Sequence, residues 1–168
     1  MAQIARVSGV LVGQIYRDFA DKEDLIAAIV ERDVSELLPD ADLSTRAVPD
    51  CRAEMIGWVR ELVCRPLDDE TRKMLADILS EATRNPRIAA ILLAAYGRLR
   101  DRLVSAAALW SPEPRSRGSV EAFVDLVLTV AGGLQHRQIF GLQPDPLIEG
   151  RMMELIEAQL ATISAGEC

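Results

Sequence analysis

The stretch from Ile4 to Leu25, IARVSGVLVGQIYRDFADKEDL, restricts this chain more than any other. Ile4, Ala5 and Val7 supply a short apolar face, and Ser8-Gly9-Val10 interrupts it. The glycine gives the backbone freedom that a sharp turn needs. Leu11 to Phe19 then reads as a second short helix, with Ile15 and Phe19 one turn apart on one side. Asp21 stands where a third helix would be capped, and Asp24 follows at capping-box spacing, with aspartate in place of the usual Glu or Gln. Two short helices joined by a three-residue turn make a helix-turn-helix, a unit whose second helix enters the major groove of DNA.

Within this stretch Ile4-Ala5, Gly9-Val10, Gly13, Tyr16, Phe19, Lys22 and Leu25 resemble the signature of the TetR family of bacterial transcriptional regulators. The resemblance implies an all-α protein with two parts. A helix-turn-helix DNA-binding head and connecting helix would occupy 1–38, and a ligand-binding and dimerisation domain 39–168. It also implies a homodimer that binds a palindromic double-stranded DNA operator, acts as a repressor, and is released by a small apolar or aromatic effector. On this resemblance, Val12, Gly13 and Gln14 would face base edges and let the backbone approach, while Tyr16, Arg17 and Lys22 would hold phosphates.

The chain departs from the family pattern in three places. Leu11 stands where a capping Ser or Thr is usual, and Asp18 replaces a second aromatic residue and would repel phosphate. The motif also begins almost at Met1, so the family's first helix and any basic arm are expected to be missing. A loose head and weak DNA binding are expected in consequence. These departures carry an alternative: a DNA-independent, dimeric small-molecule-binding or interaction protein of the same ancestry.

Charge bears on the choice. The net charge is −7 and the pI about 4.8, whereas nucleic-acid binders usually present a basic face. Arg6, Arg17 and Asp18 leave Met1 to Ala20 at +1. DNA affinity would therefore rest on a few local contacts.

Beyond the motif the chain reads as helix throughout, with no period-two stretch to suggest a strand. Helices are expected over 21–38, 50–65, from an Asp69 cap to Arg84, from an Asn85-Pro86 cap to about Leu109, from a Ser119 cap to near Gly141, and from an Asp145-Pro146 cap to near Ile163. The apolar fraction of 49% is enough for one sizeable core, and the 4% of aromatics means that Leu, Ile, Val, Ala and Met must build it. There is no run of about eighteen apolar residues and no signal peptide, so a soluble, cytoplasmic protein without membrane association is expected. Cys51, Cys64 and Cys168 are too scattered for a disulfide framework or a zinc site, and neither a metal nor a cofactor is expected. No nucleophile elbow, phosphate loop or second histidine is present, which argues against an enzyme.

The last two helices are apolar on more than one face, from Val120 through Leu134 and from Ile148 through Ile163. They are either ordinary core or a seam between two copies. In the family this pair forms a four-helix dimer bundle, which assigns Val127, Leu134, Met152, Leu155, Ile156 and Gln159 to the interface. Gly132-Gly133 would admit a second backbone. The middle helices of the family enclose an effector pocket, for which Met55, Trp58, Met74, Ile78, Tyr96, Phe123 and His136 are the candidates. For each of these, plain core packing is the competing reading.

Overall fold

The computed structural model describes residues 12–37, 48–109 and 117–164, and these form seven α-helices with no strand among them. They are α1 (Val12–Asp18), α2 (Lys22–Leu37), α3 (Val48–Val63), α4 (Asp69–Ala82), α5 (Pro86–Leu109), α6 (Arg117–Ile139) and α7 (Pro146–Ser164). The all-α class expected from the helical periodicity holds for the described residues. Ile4 to Leu11, Leu38, Trp110 and Cys168 lie outside them, as does the proposed boundary at 38/39.

Three helix starts are set by the expected caps. Asp21 Oδ1 accepts the Asp24 amide at 2.8 Å. Asn85 Oδ1 accepts the Arg87 amide at 3.0 Å, and Asp145 Oδ1 accepts the Leu147 amide at 2.9 Å. In the last two, proline takes the first helical position, where no amide donor is needed. Three other starts move, one of them that of α3, which spans Val48–Val63 where 50–65 is expected. Asp68, not Asp69, caps α4, accepting from Glu70 N at 3.0 Å and Thr71 N at 2.8 Å. Asp69 is the first helical residue and pairs with Arg72. With two aspartates in a row, only the backbone direction decides which one caps. Likewise α6 begins at Arg117, which puts Ser119 inside its first turn.

The end of α6 is a Schellman turn: Gly141 has φ +83, its amide reaches Gln138 O at 2.8 Å, and the Leu142 amide reaches Arg137 O at 3.1 Å.

Asp68→Ala is expected to lower the urea midpoint at neutral pH, because two amides lose their acceptor. The Thr71 amide, first among several donors, holds the Asp68 carboxyl below its ordinary value of 3.8. A lowered folded-state pKa means that this stabilisation is complete above the ordinary value and is lost as pH falls through the lower folded one. The gap between variant and parent should therefore close below pH 3.8. A gap that persists in acid would show that the carboxylate is not the acceptor that matters.

Packing divides into two apolar clusters. The larger joins Met55, Val59, Leu62 and Val63 of α3 to Leu99 and Leu103 of α5, Phe123, Val124, Val127, Leu128 and Ala131 of α6, and Met153, Ile156 and Leu160 of α7. Each such side chain contributes about 1.5–3 kcal/mol on full burial, so this cluster dominates stability. The smaller joins Ile26 of α2, Ile78 of α4 and Ile88 of α5, with Met74 and Leu92 against them. α5 takes part in both and packs on α2, α4 and α6. α2 and α5 run parallel: Asp21 meets Arg87, and about three turns on along both, Glu31 meets Arg98. Among the described residues no helix is long and apolar enough to cross a membrane.

Candidate functional site

α1 is a seven-residue helix in which Ile15 is the buried one among the described side chains, and the Ile15 carbonyl accepts the Phe19 amide at 2.9 Å. Gly13, Gln14, Tyr16, Arg17 and Asp18 are all exposed around it. Four of the six residues assigned to DNA thus share one solvent-facing surface. Val12 belongs to the helix, but its side chain lies outside the described ones. Lys22 is engaged elsewhere: its ammonium lies 3.8 Å from Glu81 Oε1 at the end of α4.

That contact belongs to a polar corner where the start of α2 meets the turn between α4 and α5. Arg87 donates to Asp21 Oδ2 at 2.5 Å and to Asp24 Oδ1 at 2.8 Å. Asn85 Nδ2 donates to Glu23 Oε1 at 2.7 Å. The positive ends of two parallel helices lie together here, and carboxylates between them are the natural compensation. The Asp24 amide, with Arg87 second, holds the Asp21 carboxyl below its usual range; Asp21 in turn raises the Arg87 guanidinium. Asp24 therefore spends its carboxylate on Arg87. Sequence reading missed this corner because its partners stand about sixty residues apart.

The seven effector candidates do not converge. Met55 and Phe123 are buried in the larger cluster, and Ile78 in the smaller with Met74 beside it. Trp58 sits at the rim of the larger cluster and donates its indole N–H to Leu37 O at 3.1 Å. Tyr96 is 48% exposed, and His136 is exposed with its ring stacked on Phe140 at 4.9 Å. Helical spacing put these residues on apolar or mixed faces, but those faces point into different clusters or into solvent. Two clefts lie nearby. One of about 660 Å³ runs past Leu37, Trp58, Leu62 and Cys64; another of about 370 Å³ lies between Phe19, Ile29, Arg65 and Met74. Trp58 and Met74 are the two effector candidates that border them. Cys64 is a free, half-buried thiol that burial, with Glu149 adding to it, keeps protonated, so it is a poor nucleophile. No group of three potential metal ligands occurs among the described residues.

The six interface candidates also divide. Val127 and Ile156 are each 2% exposed within a single chain, so they belong to its core and have no surface left for a partner. Leu134 and Met152 are half-buried, and Leu155 and Gln159 face outward. The apolar excess on α6 and α7 is therefore only partly a surface. What they do expose includes Thr129, Gly132, Gly133 and Phe140 on α6 and beyond it, and Leu147 and Leu155 on α7. Phe140 and Leu147 escaped notice because each stands at a helix end, where periodicity is hardest to follow. Gln138 was missed too. It is buried, accepts the Leu67 amide at 2.8 Å and donates to Arg65 O at 3.0 Å, tying α6 to the α3–α4 turn. Its signal in the sequence was slight, because Gln135 is a second amide in the same helix. No protein-family model, curated protein or solved structure matches this chain.

Proposed function

We propose that the protein is a ligand-responsive transcriptional regulator, a dimeric repressor that binds a palindromic DNA operator through α1. The observation that carries this reading is α1 itself: a short helix pinned by Ile15 that turns Gly13, Gln14, Tyr16 and Arg17 to solvent. Those side chains offer an amide for base edges, and a phenol and a guanidinium for phosphates. The resemblance of Ile4 to Leu25 to TetR-type regulators supports the same assignment. The small residues Thr129, Gly132 and Gly133 on the outer face of α6, with Leu155 on α7, suit close packing against a second copy. The effector is a small apolar or aromatic molecule, and the clefts at Trp58 and at Met74 are the places for it. By binding one spacing of the two heads better than the other, it would shift the population away from DNA.

Selection of duplex fragments by the full chain tests the reading. The enriched sequences should be palindromes with half-sites whole helical turns apart. Gln14→Ala should relax base preference, and Arg17→Ala should weaken all sequences alike and reduce the salt slope by about 1. Leu147→Glu with Leu155→Glu should convert dimer to monomer in light scattering. A chain that enriches no sequence, yet stays dimeric and is stabilised by a small molecule, would favour the DNA-independent reading. Two observations lean that way: Lys22 is engaged by Glu81, and Asp18 is exposed on α1.

A further inference from the structure

We propose that Glu81 is an internal competitor for nucleic-acid phosphate, holding the Lys22 ammonium against the body so that phosphate must displace it. The inference rests on the DNA-binding reading of α1 and adds a regulatory contact to it. Lys22 opens α2 directly after the turn that follows α1, so a cation there stands next to the surface offered to DNA. Its neighbours at that end of α2 are Asp21, Glu23 and Asp24. Asp21 and Asp24 are occupied by Arg87, and Glu23 by Asn85. Lys22 itself reaches Glu81 at 3.8 Å.

Glu81 is built to let go. Its other oxygen takes Arg84 at 3.4 Å, so the carboxylate stays paired when Lys22 leaves. The Lys22 side chain is half-exposed, and exposed ion pairs are weak enough for a phosphate to replace them. Glu81 is also connected to the body. It lies in the last turn of α4, one turn beyond Ile78, which is buried with Ile26 and Ile88. Met74, a turn earlier still, borders a cleft that Phe19 also lines. Anything that shifts α4 along this cluster moves Glu81 relative to Lys22 and changes how easily the cation is released.

The test uses the full chain, a mixed-sequence duplex, and two readouts. Glu81→Gln should let phosphate take Lys22 without displacing a carboxylate. That tightens binding by up to about fivefold in dilute salt, the worth of an exposed ion pair. Asp77→Asn removes an exposed carboxylate one turn away and should tighten binding by clearly less. In a Lys22→Ala background, Glu81→Gln should give no more than Asp77→Asn does. A gain that persists without Lys22, or that Asp77→Asn matches, overturns the competition. The second readout needs no DNA. The chain's lysines are Lys22 and Lys73, and Lys73 is exposed on α4. The rate of amine acylation at Lys22 relative to Lys73, followed by mass spectrometry, should rise in Glu81→Gln. An unchanged ratio overturns the contact itself. A raised ratio in a protein that binds no duplex in any form overturns the DNA reading, and the competition with it, while the ion pair stands.

Discussion

Met153→Ala is expected to cost about 2–5 kcal/mol, while Met152→Ala, one residue earlier, costs a small fraction of that. Met153 is 1% exposed and packs in the larger cluster with Ile156 and Leu160, where α7 lies on α3 and α6. Truncating it removes a buried thioether and leaves a cavity that four packed helices cannot easily collapse. Met152 lies 100° around the helix and is only half-buried. The loss at Met153 is a large part of a typical stability of about 5–15 kcal/mol. Urea unfolding at one fixed protein concentration should show a lower midpoint at unchanged slope for Met153→Ala. Leu155→Ala and Ile156→Ala should differ in the same sense, since Leu155 is 58% exposed. If Met152 proved the sensitive position, the register of α7 on the core would be wrong.

Gln138→Glu is expected to destabilise the protein at neutral pH and to recover in acid. The native amide gives its oxygen to the Leu67 N–H and its NH₂ to Arg65 O. A carboxylate keeps the first bond but sets its second oxygen against a carbonyl, and the buried charge adds a desolvation penalty. An unsatisfied buried group costs about 1–3 kcal/mol, and a charged one more. When protonated, the acid can donate to Arg65 O, so the neutral form is the one that fits. The folded-state pKa should therefore lie above the ordinary value of about 4.3. A raised folded pKa means that stability is complete below that ordinary value and is lost as pH rises through the folded one. The variant should thus approach the parent near pH 4 and fall behind it towards neutrality. Gln138→Ala, which leaves both Leu67 N and Arg65 O without a partner, should be destabilised at every pH. A flat pH profile for Gln138→Glu would mean that water, not Gln138, joins α6 to the turn.

Helices and their starts were legible because their causes are local. Asp21, Asn85-Pro86 and Asp145-Pro146 act within their own first turns, and the structure finds the helices beginning there. Where two residues could do the same local job, as at Asp68 and Asp69, the text of the chain was ambiguous by one position. Faces were less legible than helices. α6 and α7 are apolar nearly all round, so periodicity could not separate the core positions Val127 and Ile156 from the outward Leu155, nor rank Met153 above Met152. The surface of α1 was legible for the same reason as the helix starts. It is short, and Ile15, the buried one among its described side chains, leaves the others facing outward.

By itself, then, the sequence determined an all-helical fold for the described residues, the beginnings of three of the seven helices, and a short helix carrying Gln14, Tyr16 and Arg17. All of these follow from residues within a few positions of one another. The tertiary structure alone decided which apolar faces are buried within the single chain, and that the effector candidates fall into two clusters and on the surface. It also decided that Lys22 meets Glu81 and that Asp21 meets Arg87. These depend on how helices distant in sequence lie against each other. Such arrangement reflects the burial of whole faces in competition, which no local spacing records.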